Sequence, residues 1–339
     1  MAVRLRPGGY MLEPRDTSSP EPGSLFRSPL ALFSVCALTF IASAIFLSGF
    51  HLQGMTFWVS GKVRLWHMLL ALSPTLWVTS VLVMFHEWRT TRILGSGSRR
   101  QRLVTGASVV LATFMFVAPT VTSFLSAQSA IWVIQRRADD LIFLPGFPPK
   151  FFLLNLLRDA VVLLLISGMV GAHAQLLGQF PRAAPGREEA GAERLAEDLG
   201  RYQQLRSRLE RFLGFAAANI GLSILSFGAL RSMLGETAAG LPELLPKGSI
   251  LVFGAYFTWL LAIIYLPIRK SLNDVGNALA EEVLQQPVVK RVTWTQWLDE
   301  QQAIRTWLGL QGSVLQDLQQ GLSVLAPLLA GITSLALGA

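Results

Sequence analysis

The stretch LALFSVCALTFIASAIFLSGF, Leu30–Phe50, runs for 21 residues without one charged side chain. The hydrocarbon core of a bilayer is about 30 Å thick, and a helix rising 1.5 Å per residue crosses it in roughly 20 apolar residues. The stretch has that length. The residues before it, Met1–Pro29, are polar and carry prolines, and they lack both the short basic start and the small-residue cleavage site of a secretory signal. Leu30–Phe50 therefore reads as a retained membrane span. Five more runs of the same kind follow: Trp66–Phe85, Val104–Leu125, Ala160–Gly178, Phe212–Leu230 and Gly248–Ile268. The expected fold is all-α, a polytopic transmembrane helix bundle of about six spans with cytoplasmic helical extensions.

Composition agrees. Charged residues make up 15% of the 339, against roughly 25% in soluble domains, and the mean hydropathy is +0.46. The net charge of +8 and pI near 10.2 would suit a nucleic-acid partner, but cytoplasmic loops of membrane proteins carry the same surplus, and nucleic acid is the disfavoured reading. Counted between spans, Lys and Arg fall 21 on one side and 8 on the other. Cationic segments resist translocation, so the basic side is expected to be the cytoplasm, with both termini there. Only five of the 29 basic residues are lysines, an arginine bias that suggests a GC-rich bacterial genome and hence a multi-pass protein of the bacterial inner membrane. Cys36 is the single cysteine, so one chain builds neither a disulfide framework nor a cysteine-based zinc site.

The chain divides accordingly. Residues 1–29 read as a cytoplasmic N-terminal tail, 30–180 as a four-helix transmembrane region with an extracytoplasmic segment at 127–159, and 181–211 as a cytoplasmic helix. Transmembrane helices five and six occupy 212–268. Residues 269–339 read as a cytoplasmic helical region whose tail is apolar and a candidate for membrane association. From Glu188 to Arg211 the apolar positions Leu195, Leu199, Tyr202, Leu205 and Leu209 keep helical spacing, and no proline separates them from the fifth span. Glu188–Met233 is therefore expected to be one helix, about 70 Å long.

Gly214, Gly221 and Gly228 recur every seven residues in the fifth span. Small side chains on one face let another helix backbone approach, a main source of attraction between helices in lipid. They are expected to pack helices. Asn219 and Ser223 form a polar stripe on the same span, and His173 lies within the fourth. An ionisable or polar group inside a membrane is a candidate site by default, although a single hydrogen bond to a neighbouring helix explains each one more simply. Pro119 in the third span removes one ladder bond and permits a kink. Near the end of the chain Leu315, Leu318, Leu322, Leu325 and Leu329 alternate by threes and fours, the pattern of a packing or oligomer seam.

Catalytic signatures are missing: there is no HExxH, GxSxG or dinucleotide fingerprint. No two histidines have metal-ligand spacing, and the charge-free runs hold no carboxylate. The sequence thus assigns no catalytic, cofactor-binding or metal residue, and no cofactor is expected. A lack of intramembrane carboxylates weighs against ion-coupled transport. The first functional expectation is an oligomeric pore, channel or membrane-permeability effector controlled by its cytoplasmic helices. The alternatives are a membrane transporter, or a membrane-bound enzyme acting around His173. Expected partners are the lipid bilayer, further copies of the chain, and a cytoplasmic protein or small-molecule regulator.

Overall fold

The computed structural model describes residues 29–47, 61–90, 99–126, 147–180, 192–237, 246–285, 294–310 and 314–337. The tail at 1–28, the loop part 127–146 of the expected extracytoplasmic segment, and residues 181–191 lie outside the described residues.

Among the described residues every regular element is an α-helix: α1 (Pro29–Leu47), α2 (Gly61–Thr90), α3 (Arg99–Leu125), α4 (Phe147–Gln179), α5 (Ala192–Thr237), α6 (Lys247–Gln285), α7 (Trp294–Trp307) and α8 (Val314–Leu337). The first six contain lengths long and apolar enough to cross a membrane, and the protein is a multi-pass membrane protein by that criterion. The expected helix bundle is what forms. Its core is drawn mainly from α4, α5 and α6, with Val162, Leu165, Ile166, Phe212, Ala216 and Leu261 buried. By contrast α1 and α3 expose whole apolar faces, Phe33, Leu38 and Ile41 on one and Val110, Leu111 and Phe114 on the other. In water such faces would drive association; against lipid they need no partner.

α5 is one unbroken helix of 46 residues, about 69 Å at 1.5 Å per residue. Its N-terminal half carries Leu195, Tyr202, Leu205 and Leu209 on a buried stripe, beside Leu272, Leu279 and Ala280 of α6. α6 is also continuous, passing through Pro267 rather than stopping there. Glu87, near the end of α2, is 6% exposed and receives Arg208 Nε at 2.6 Å and Arg211 Nη2 at 2.7 Å, which fixes α2 beside α5 where the apolar length of α5 begins. After α7 the chain turns at Gly309, whose φ of 65° a side chain would resist. Leu310 N–H reaches back to the Arg305 carbonyl (2.7 Å) and Gly309 N–H to that of Thr306 (2.9 Å), so orphaned carbonyls of α7 are satisfied. Arg206 Nη1 donates to the Leu308 carbonyl and ties this turn to α5.

α8 lies between α5 and α6, parallel to α5. A Cβ on Gly221 would meet Ala326 O at 3.8 Å and Ala330 Cβ at 3.9 Å, and one on Gly228 would overlap Ser334. From the α6 side Gly254 comes up to Pro327, where a Cβ would stand 2.8 Å from the carbonyl oxygen. Pro327 cannot donate to its own helix, and the next amide, Leu328 N–H, donates across to Thr258 Oγ1 (3.1 Å). The buried face of α8 is therefore Pro327, Ala330, Gly331 and Ser334. Leu325 and Leu329 of the expected seam are 43% and 41% exposed and point away from α5 and α6. The side chains of Leu315, Leu318 and Leu322 are not among those described.

Of the three glycines read as a packing face, Gly221 and Gly228 meet α8 and Gly214 has nothing within 4 Å. Gly228→Ala should destabilise the protein by about 1–3 kcal/mol through overpacking, whereas Gly214→Ala should be neutral or slightly stabilising. Thermal unfolding in detergent compares the two; equal midpoints would contradict the α5–α8 contact.

Candidate functional site

The fourth apolar helix begins earlier than its charge-free run. Pro148 and Pro149 occupy the first turn of α4, where a missing N–H costs nothing. From there the helix is continuous to Gln179. Residues 147–159, read from sequence as part of an extracytoplasmic segment, are thus helical, and the membrane-competent length Pro149–Gln179 includes Arg158 and Asp159.

Both charges are buried, the Arg158 side chain 9% exposed and that of Asp159 1%. Arg158 donates to Asp159 Oδ1 through Nη2 (2.5 Å) and Nε (2.9 Å). Thr120 on α3 donates its hydroxyl to Asp159 Oδ2 (2.6 Å) and accepts a longer bond from Arg158 Nη2 (3.4 Å). The guanidinium lies 5.7 Å from the ring centroid of Phe257 on α6. Adjacent residues on a helix diverge by about 100°, so this pairing draws both side chains back from their natural directions. The ion pair is neutral as a unit, which is what makes it tolerable in an apolar bundle.

Asn155, one turn before Arg158, and Ser223 on α5 stand at the same place. Together with Thr120 they line a cavity of about 60 Å³, collared by Phe124, Phe151, Phe152, Phe227 and Phe253. A second space of about 20 Å³ lies across the wall of Phe151, Asn155, Arg158, Ser223 and Phe227, toward Ser73 and Trp77 of α2. At roughly 10–15 Å³ per water the larger holds a few waters or one small solute. Arg158 Nη1, Asn155 Oδ1 and Ser223 Oγ make no hydrogen bond among the described residues. The cavity thus offers two donors and two acceptors beside a cation.

A bridge between α3 and α6, one turn from this cavity, follows from Pro119. Without an N–H it leaves the Met115 carbonyl of α3 unpaired, and Tyr256 Oη of α6 donates to that oxygen (2.7 Å). Phe116 and Phe257 meet beside it, centroids 5.5 Å apart.

The three residues read from sequence as a polar intramembrane site are not brought together. Ser223 lines the Arg158 cavity. Asn219, one turn away on α5, donates Nδ2 to Ser80 Oγ of α2 (2.9 Å) and to the Phe215 carbonyl (2.7 Å), while its Oδ1 is buried without a partner. His173 sits elsewhere, Nε2 3.0 Å from Ser271 Oγ of α6; that hydroxyl donates to the Pro267 carbonyl (3.1 Å), so the histidine is the donor between the two. Sequence reading missed Arg158, Asp159 and Asn155 as site residues because it counted only charge-free runs, and Thr120, inside such a run, looked no different from the other hydroxyls of Pro119–Ser129. The signal was present: LLNLL precedes the pair and AVVLLL follows it. Among the described residues no three His, Cys, Asp or Glu side chains gather as metal ligands.

No family model matches the chain, and comparison with curated proteins and with solved structures finds no match.

Removing one member of a buried pair leaves an uncompensated charge and costs about 3–5 kcal/mol. Asp159→Leu should therefore lower the unfolding midpoint far more than Arg158→Leu/Asp159→Leu, which removes both charges. Equal losses in the single and double variants, read by thermal unfolding in detergent, would mean that packing rather than charge balance matters here.

Proposed function

We propose that the protein is a membrane transporter for a small anionic solute, bound at Arg158, with Asp159 as the internal anion that the solute replaces. One observation carries this reading: a buried guanidinium, already paired within the chain, borders a small, largely apolar cavity with Thr120, Asn155 and Ser223 in its wall, inside helices apolar enough to cross a membrane. A solute carboxylate offers the same planar acceptor pair as Asp159, the Ser223 hydroxyl supplies a further donor, and Asn155 Oδ1 accepts from a hydroxyl on the solute. Exchange between the two anions keeps the guanidinium paired throughout, and Asp159, displaced but still bonded to Thr120, takes up a proton so that the buried site stays neutral. The sequence expectation of a pore drew on the missing intramembrane carboxylate, and Asp159 supplies one. The cavity is small and walled by aromatic rings, which suits binding one solute at a time better than continuous conduction.

Further elements of this reading concern placement. The end of α2, the start of α3 and the end of α4 lead into the basic stretches at 86–103 and 179–211 and face the cytoplasm of a bacterial inner membrane, and the paired N-terminal half of α5 and C-terminal half of α6 project there. α8, packed along the apolar lengths of α5 and α6, is a further membrane-embedded element rather than a cytoplasmic one. With seven crossings the two termini lie on opposite sides, which a cysteine at Ala339, in a Cys36→Ala background, reports by its reaction with an impermeant thiol reagent applied outside. The exposed Leu325, Leu329 and Ile332 then face lipid or a second copy of the chain.

Proteoliposomes taking up labelled acetate, lactate or inorganic phosphate provide the test. Wild-type protein should take up at least one of them saturably and exchange it against unlabelled solute. Arg158→Gln/Asp159→Asn keeps the site neutral and should abolish that uptake with little change in unfolding midpoint. Dye release or a non-saturable ion leak from wild type, with no exchange of any of the three, would overturn the transporter reading in favour of a pore.

A further inference from the structure

We propose that the crevice between α3 and α6 on the basic side of the bundle holds one chain of an anionic phospholipid, its phosphate at the basic rim. α3 rests on α4 and stands off α6, so the two leave between them a groove of about 460 Å³ floored by α4. The walls are apolar, Leu111 and Met115 on one side and Ile263 and Ile268 on the other, with Ile166 and Leu177 beneath. The groove is open along its length, and Leu111, Leu177 and Ile263 are exposed in it. Its inner end is closed at mid-helix by Tyr256 bonded to Met115 and by Phe116. A chain entering it therefore comes from one leaflet only.

Charge identifies which lipid. At the open end α3 carries Arg99, Arg100 and Arg102 in its first turn, just before Val104, and α6 carries Arg269 and Lys270 directly after Ile268. No Asp or Glu occurs in residues 99–125, 160–179 or 247–273; the first acid on α6 past the groove is Asp274, one turn beyond Lys270. Basic positions between transmembrane helices on the cytoplasmic side are the recognised setting for acidic head groups. His173 of α4 and Ser271 of α6, 3.0 Å apart, stand at the level of Arg269 and Lys270 and add polar groups to this end of the groove. An apolar body gives way at Ile268 to a polar, cationic end, the order of a phospholipid's chain and head group. A neutral lipid would fill the groove but gain nothing from the basic rim, and a free anion would use the rim but leave the groove empty.

Photoreactive phosphatidylglycerol, with a diazirine in its acyl chain, tests this in nanodiscs of the full-length protein against the matched phosphatidylcholine. Cross-links should fall in 104–116 and 260–268 and be several-fold stronger with phosphatidylglycerol. Ala174→Phe, which fills the floor, should remove them; should that variant fold poorly, Ser108→Phe on the α3 wall serves the same purpose. Arg102→Gln/Lys270→Gln should reduce phosphatidylglycerol labelling to the phosphatidylcholine level, and added inorganic phosphate should not displace the lipid. Equal labelling by the two lipids that survives the filling variants would mean annular lipid only. Displacement by phosphate alone would mean that the rim reads a free anion, and would equally overturn the proposal.

Discussion

A buried charge in an apolar bundle must find its counter-charge within reach, and Arg158 and Asp159 do so as neighbours on one helix turn. Much of the outer architecture is arranged around that constraint. Thr120 completes the shell of Asp159, which sets the height of α3 against α4, and Phe257 covers the guanidinium, which sets α6. Pro119, next to Thr120, frees the carbonyl that Tyr256 takes up. A single polar cluster thus helps to register three helices, together with the Tyr256–Met115 and His173–Ser271 bonds between them. In lipid, apolar faces slide past one another at small cost, and polar contacts supply the register.

The second organising contact uses shape instead of charge. Gly221, Gly228 and Gly254 open a slot between α5 and α6, and α8 presents Ala326, Ala330, Gly331 and Ser334 to it. Backbones that approach this closely gain dispersion contacts that larger side chains would prevent. Pro327 gives the slot a specific lock, because its neighbour's amide is paired by Thr258 outside its own helix. The same device appears twice: a proline breaks a ladder bond, and a hydroxyl on α6 takes part in the repair.

Much of this was legible in the sequence. Apolar runs of about 20 residues give the helix class and the number of long spans, and the unbroken periodicity before Phe212 gives the length of α5, because both depend on local pattern alone. The heptad glycines gave half their meaning: spacing marks a small face but not its partner, so Gly214 looks equivalent to Gly228 although only the latter is covered. At the end of the chain leucine periodicity drew attention to the wider face of α8, while the face in contact within the chain is built from small residues that carry little hydropathy signal. His173, Asn219 and Ser223 looked alike as isolated polar groups, and only the tertiary arrangement separates two helix ties from a cavity wall. Arg158 and Asp159 were hidden for a simple reason. A rule that ends a span at any charge cannot see two opposite charges that cancel.

That cancellation, and its replacement by a solute, is open to direct chemical observation at Ser223. In a Cys36→Ala background, Ser223→Cys places a thiol on the wall shared by the two small spaces beside Arg158. Reconstituted protein carrying it should react with a small anionic methanethiosulfonate added from the water side, and the transported anion should slow that reaction. In Arg158→Gln/Asp159→Asn the protection should vanish while the thiol still reacts. A thiol that never reacts, or that reacts at the same rate with and without every anion tested, would contradict a solute site at Arg158.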